Sequence, residues 1–349
     1  MSILIQKIPS HLYKYYAFDE KFNSDRLIGK VFLSNPYSFN DPSDCRFGII
    51  NNYHSMGKDK TWLFGKLKEL GLEPATYLDK VVDNDKESVE LVWKKQLEKV
   101  GILCLSQDPT NKLLWGYYTN NAGFCIELDS SLIVERLLLG YINELNFETI
   151  FDLYNEKEYS LDPIIRNSNK IKSEVTKAVE LVSRIDIAKI TNPYLLSLLK
   201  ETSHEKYVRN FLTTCLLKRF GCHEMTYMDT KDTPSAKLFF NNNDEDVIAK
   251  YYCKTKEWSL EKEFRFVASL GGGILADLGC DIIKSVLIGC NMPSSHIFEV
   301  LSILYKNKMD NIPIYKMKVK TGTNTLEPVL IDTKSLFFTL LEFNKLTNI

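Results

Sequence analysis

Eight cysteines occur in 349 residues, yet none forms a Cys-x-x-Cys pair. Structural zinc sites and redox motifs rely on such paired spacing. Cys222-His223 is the one adjacent cysteine–histidine pair, and no neighbouring residue completes a ligand set. No metal is expected. Several cysteines sit inside apolar runs, as in Ile102-Leu-Cys104-Leu and Phe124-Cys125-Ile126. That suits reduced thiols packed as small hydrophobes.

A charge surplus is also missing. The chain carries 44 Lys+Arg against 45 Asp+Glu, a formal net charge of −1. Nothing pulls it globally toward nucleic acid or an anionic membrane, although a local basic groove stays open. No run reaches the roughly 18 apolar residues of a membrane span. The longest, Ile282 to Cys290, is broken by Lys284 and suits a buried strand. The first residues, Met1-Ser-Ile-Leu-Ile-Gln-Lys, lack a basic segment leading into an apolar run. No secretory signal is therefore read there, and a cytoplasmic location is expected. P-loop, GxGxxG and HExxH motifs are absent, as are internal repeats and low-complexity segments.

What remains is a globular composition. Hydrophobic residues make up 44% and charged residues 26%, so disorder does not dominate. The length suits a single domain with a substantial insertion. Strand patterns fall at Leu12–Phe18, Lys30–Ser34, Ile102–Ser106, Phe124–Leu128, Trp258–Ser269, Ile283–Ile288 and Ile312–Lys320. Helices are expected at 58–71, at 86–100, from Asp108-Pro109 to Asn121, from Asp129 to Gly140, and from Pro293 to Lys308. Arg26-Leu-Ile-Gly29 reads as a helix end closed by glycine. Residues 143–250 show helical and charged character without a sheet pattern. They read as a helical insertion or lobe between two sheet-forming parts, 1–142 and 251–349.

Three segments could carry chemistry. In Glu261-Lys-Glu263-Phe-Arg265-Phe, strand alternation puts Glu261, Glu263 and Arg265 on one side and the phenylalanines on the other. Two close carboxylates raise one pKa while an arginine opposes that rise. Such a face could hold a substrate hydroxyl or stabilise a developing cation; a structurally paired strand face reads the same way. Trp258, just upstream, could wall the site or fill core. Leu113-Leu-Trp115-Gly-Tyr117-Tyr118 would offer flat aromatic faces for stacking on a ring, or core packing. Phe39-Asn40-Asp41-Pro42-Ser43-Asp44-Cys45 is turn chemistry that could also touch a substrate.

Together these blocks form a recognisable set. Leu12-Tyr-Lys14-Tyr15, Phe39-Asn-Asp-Pro-Ser-Asp44, Cys104-Leu-Ser106, Leu114-Trp-Gly-Tyr-Tyr118, Gly123-Phe-Cys-Ile-Glu127, Lys256 to Arg265, and Val286-Leu-Ile-Gly-Cys-Asn-Met292 span roughly 12 to 320. The set resembles the bacterial family catalogued as domain of unknown function 2971. The order of elements is similar to that of ADP-ribosyltransferases, which implies a mostly antiparallel central sheet and NAD as substrate. In those folds a first strand carries Arg or His against NAD, a middle strand offers Ser or Tyr beside the nicotinamide ribose, and a late strand carries Glu-x-Glu. The resemblance implies Lys14, Ser106 and Glu263 for these roles, with Glu261 as the upstream carboxylate. Tyr15, Trp115, Tyr118 and Trp258 would contact the dinucleotide. Asn40, Asp41, Asp44 and Arg265 would serve the substrate loop or orient carboxylates. Lys14 departs from the pattern, because lysine lacks the bidentate grip of arginine on phosphate.

Three function classes follow. One is an NAD-cleaving or ADP-ribosyl-transferring enzyme with a nucleic-acid or protein target and no membrane partner. The second is a non-catalytic binding or sensor module of a bacterial defence or toxin system. The third is a nuclease, for which no metal-ligand spacing is present. The enzyme reading requires Lys14, Ser106, Tyr118 and Glu263 to meet at one pocket, with Ser106 and Glu263 on one face of the sheet.

Overall fold

Six of the seven apolar segments build most of one eight-stranded sheet. The computed structural model describes residues 5–45, 94–95, 97–150, 169–200, 205–232, 250–269, 271–333, 335–336 and 342. The expected helix at 58–71, and most of that at 86–100, lie outside them.

The strands of the main sheet are β1 (His11–Tyr16), β3 (Gly101–Ser106), β4 (Phe124–Asp129), β5 (Phe220–Glu224), β8 (Glu263–Ala268), β10 (Ile283–Ile288), β11 (Ile314–Val319) and β12 (Leu326–Leu330). Their order is β12-β11-β10-β4-β1-β3-β8-β5. Only β10 and β11 run parallel; the other neighbours are antiparallel. The chain is thus a mixed α/β protein around a mostly antiparallel sheet. Two small ribbons complete the strands: β2 (Lys30–Leu33) with β9 (Ile274–Asp277), and β6 (Thr226–Met228) with β7 (Cys253–Thr255).

Among the described residues the α-helices are α1 (Asn23–Leu27), α2 (Lys112–Thr119), α3 (Ser130–Glu144), α4 (Asn169–Ser183), α5 (Pro193–Leu199), α6 (Glu205–Arg219) and α7 (Ser294–Lys306). Period-two alternation splits the sheet into two faces. Leu12, Leu103, Leu105, Phe124, Ile126, Phe264, Phe266 and Val286 point into the large core with α3, α4, α6 and α7. Each such side chain, once buried, contributes roughly 1.5–3 kcal/mol. The opposite face holds a smaller cluster of Tyr15, Cys125, Leu287 and Met317, packed against Leu114 and Trp115 of α2. The candidate site lies on this second face.

Several local expectations need correction. The helix foreseen from Asp108-Pro109 begins at Lys112, because Asn111 caps it through Leu113 N and Leu114 N. Asp108 instead closes its own turn, accepting from Thr110 N at 2.9 Å and Thr110 Oγ1 at 2.8 Å. Helix α3 runs through Gly140 to Glu144, since a helical glycine costs only about 1 kcal/mol against good packing. The stretch read as mostly helical, without a sheet pattern like that of its flanks, includes α4, α5 and α6 but also β5, which pairs with β8, and β6. Lys256–Glu261 forms a 3-10 helix, and Lys262 takes a left-handed φ of 46°. Strand β8 therefore starts at Glu263, and Glu261 is not on it. Gly29 does close a short helix: its φ is +89°, and an added Cβ would lie 2.1 Å from the Gly279 carbonyl oxygen.

Candidate functional site

Strands β1 and β3 pair at one end and part along the rest. Tyr13 faces Ser106, whereas Ile102 is bridged by Ser34 instead of β1. A cavity of about 330 Å³ opens at this parting, at the lower end of ligand-pocket sizes. Its wall includes Tyr13, Lys14, Phe39, Ser106, Tyr118 and Glu263.

Strand register explains how two of these meet. Ser106 and Glu263 are direct antiparallel partners, as are Cys104 and Arg265. Directly paired residues share a face, so Ser106, Cys104, Glu263 and Arg265 all look toward the cavity side. Tyr13 and Tyr15 join them from β1. Lys14 leaves β1 toward the other face by alternation, yet its Nζ donates to the Cys104 carbonyl at 2.9 Å and lines the cavity. Among the described residues its ammonium has no carboxylate within ion-pair distance.

The floor is a buried ionic cluster. Arg265 is fully buried and grips Asp44 twice, Nη1 to Oδ1 at 2.9 Å and Nη2 to Oδ2 at 2.5 Å. Its Nε donates to Glu263 Oε1 at 2.6 Å, and Nη1 also donates to the Tyr251 carbonyl at 2.9 Å. The Phe39 ring covers the guanidinium, with 5.1 Å to its centroid. Lys254 reaches Glu261 Oε2 at 2.6 Å, Glu263 Oε2 at 2.9 Å and Asp44 Oδ2 at 3.5 Å. Three largely buried carboxylates thus share two buried cations. Pairing on this scale is what permits charges to be buried at all.

Burial alone would raise the Glu263 pKa. The Arg265 guanidinium and the Lys254 ammonium outweigh it and hold the carboxyl well below its usual range. Burial likewise opposes the charge on Lys254, and Glu263 with the other carboxylates overrides it upward. Tyr118 donates to Glu261 Oε1 at 2.9 Å. Burial, then the Glu261 charge, push its phenol up, so it stays a donor. Tyr227 accepts from Glu263 N at 2.9 Å, and burial pushes its own pKa up to about 12.

The nine residues Lys14, Tyr15, Asn40, Asp44, Ser106, Tyr118, Glu261, Glu263 and Arg265 all line the cavity. Their roles differ. The Ser106 hydroxyl donates to the Glu261 carbonyl at 2.8 Å and accepts from Asp108 N at 3.1 Å, tying the 3-10 turn to β3. Tyr15 donates to the Asp108 carbonyl at 2.5 Å. Asn40 Nδ2 donates to the Tyr117 hydroxyl at 3.2 Å, linking the 35–45 loop to α2 beside the cavity.

Three candidates lie away from the wall. Trp115 is buried in the small core and donates from Nε1 to the Pro109 carbonyl. Trp258 sits beneath Lys254, 5.2 Å from Nζ to ring centroid. Asp41 caps its own turn by accepting from Ser43 N and Ser43 Oγ. Conversely, Lys254 and Tyr227 were not among the sequence candidates. Lys254 had a signal: a lysine following Tyr251-Tyr-Cys253 in an otherwise buried run needs a carboxylate partner. Among the described residues no group of three or more His, Cys, Asp or Glu side chains is placed to hold a metal ion. No described helix is long and apolar enough to cross a membrane.

Searches of family models, curated proteins and solved structures return no match to this chain.

Proposed function

We propose that the chain is an ADP-ribosyltransferase-like enzyme that cleaves NAD at the bond between nicotinamide and ribose, and that its sheet is the corresponding core with a helical insertion. The observation carrying this reading is the juxtaposition of Ser106 and Glu263 across β3 and β8, with Lys14 of the next strand lining the same cavity. Three strands assigned to one chemistry by resemblance stand side by side in the order β1-β3-β8.

The chemistry fits the charges. Breaking the C1′–N bond sends the electron pair out with nicotinamide and leaves positive character on the ribose. The Glu263 and Glu261 side chains beside the cavity would face that charge, and Glu263, held ionised by Arg265 and Lys254, would stabilise it. A carboxylate has about four lone-pair sites, and the Cys104 thiol is the weakest donor on Glu263, so a ribose 2′-hydroxyl would take its place while Arg265 and Lys254 stay. The Lys14 ammonium, without a carboxylate partner among the described residues, suits a phosphate oxygen, as a point charge rather than a fork. Tyr117 and Tyr118 offer ring faces for stacking. Ser106, with its hydroxyl already engaged, would hold the 3-10 turn that presents Glu261.

The test is nicotinamide release from NAD by the purified chain, with and without protein or nucleic-acid acceptors. Release by the wild type and a fall of at least about 100-fold in Glu263→Gln, the scale of one lost electrostatic contact, support the reading. No release under any condition overturns it.

One observation favours a second reading. Both Glu263 oxygens are already in ion pairs, as a non-catalytic binding or sensor module would have them. In that case a dinucleotide or related anion binds with a measurable heat but is recovered intact.

A further inference from the structure

Lys254 lies between carboxylates from three separate parts of the fold: Asp44 from the loop after β2, Glu261 from the 3-10 turn, and Glu263 from β8. It is 4% exposed, yet it lines the cavity. Arg265 serves only two of the three, contacting Asp44 and Glu263. Among the described residues Glu261 therefore has Lys254 as its cationic partner, and the Tyr118 hydroxyl as its other side-chain contact.

We propose that Lys254 is a positioning residue that holds Glu261 and Glu263 together as an ionised pair facing one cavity. The ammonium bonds Oε2 of both carboxylates, which leaves each Oε1 to a second group: Tyr118 on Glu261 and Arg265 Nε on Glu263. Without the lysine, Asp44, Glu261 and Glu263 would share Arg265 alone in a water-poor site, and one carboxylate would take up a proton. The Trp258 ring, its centroid 5.2 Å from Nζ, adds a cation–π contact to the ammonium. That this pair serves NAD cleavage rests on the function proposed above; that Lys254 keeps it ionised does not.

Every charged or titratable group packed around Nζ enters the expected titration. These are Asp44 on the loop, Glu261 on the turn, Glu263 and Arg265 on β8, Tyr227 on β6, Tyr118 on α2 and Cys104 on β3. The cysteine thiol and both phenols are pushed upward by burial and stay neutral through the acid range. Arg265 keeps its charge throughout. The response to acid therefore belongs to the carboxylates.

The experiment follows glutamate side-chain carboxyl signals by carbon NMR against pH, without any dinucleotide. In Lys254→Met the apparent midpoint of the Glu261–Glu263 pair rises by roughly 1–3 pH units, the usual effect of one close opposite charge. In Lys254→Arg it returns to the wild-type value. An unchanged midpoint in the methionine variant, or no return in the arginine variant, overturns the proposal. Should the methionine variant not fold, the wild type supplies the reading by nitrogen NMR. One lysine ammonium then shows slow hydrogen exchange and shifts at the pH where the pair titrates; a signal blind to that titration overturns the proposal. These readings need no turnover. A wild type that never releases nicotinamide would sink the enzyme reading and leave this one standing.

Discussion

Arg265 binds Asp44 through two parallel contacts, at 2.9 and 2.5 Å, with both side chains out of contact with solvent. The pair pins the loop that follows β2 to strand β8 and so fixes one side of the cavity. Neutralising Asp44 takes two charge-assisted contacts from Arg265, which keeps Glu263 as its carboxylate partner. Asp44→Asn is expected to destabilise the fold by about 1.5–3 kcal/mol, the worth of hydrogen bonds to a charged group. Urea unfolding of the two proteins measures this, and a loss below about 1 kcal/mol, the worth of an exposed pair, would deny the pair its role.

Glu263 links stability to pH. Its folded carboxyl titrates well below the ordinary value of 4.5, so between the two values the unfolded chain binds more protons. Its contribution is complete above about 4.5 and is lost as pH falls through the folded value. Wild-type stability is therefore expected to fall more steeply below pH 4.5 than that of Glu263→Gln. Thermal melts across the acid range check the slope; parallel curves would contradict it.

Ser106 was expected beside the ribose, and its hydroxyl instead joins Asp108 N to the Glu261 carbonyl. Ser106→Ala leaves those buried backbone groups short of a partner, at a cost of about 1–3 kcal/mol. The expected result is a lower melting temperature with the variant still able to bind whatever the wild type binds. Unchanged stability with lost activity would return Ser106 to a direct catalytic role.

Lys14 is expected to recognise a phosphate. Lys14→Met should weaken binding of a dinucleotide roughly 10- to 100-fold, the worth of a hydrogen bond to a charged group. Lys14→Arg should restore or tighten binding, since guanidinium can engage phosphate with two donors. Titration calorimetry at two salt concentrations reads both effects. Equal affinity in all three proteins would remove Lys14 from the site.

Much of the central sheet was legible because apolar alternation and glycine stops mark β1, β3, β4, β10 and β11 plainly. Strand β5 was not, because Phe220 and Cys222 are its only apolar positions and Gly221 and Glu224 read as non-strand. The ionic segment misled in an instructive way. Alternation put Glu261 on the strand, yet a left-handed Lys262 turns it onto the preceding 3-10 helix. Hydrogen bonds from Asn111 to the Leu260 carbonyl and from Ser106 to the Glu261 carbonyl hold that turn, and both partners are distant in sequence. Lys254 escaped notice because a carboxylate partner for it arises only when the 39–45 loop, the turn and β8 are folded together. The convergence of Lys14, Ser106, Tyr118 and Glu263 was foreseen, and all four line the cavity.

The most direct test of the central claim is a crystal structure of Glu263→Gln with NAD, in which slowed cleavage keeps the dinucleotide whole. The account expects the nicotinamide ribose in the cavity where β1 and β3 part, its 2′-hydroxyl at residue 263 and a phosphate at Lys14. Dinucleotide bound elsewhere, or an empty cavity at saturating NAD, would contradict it.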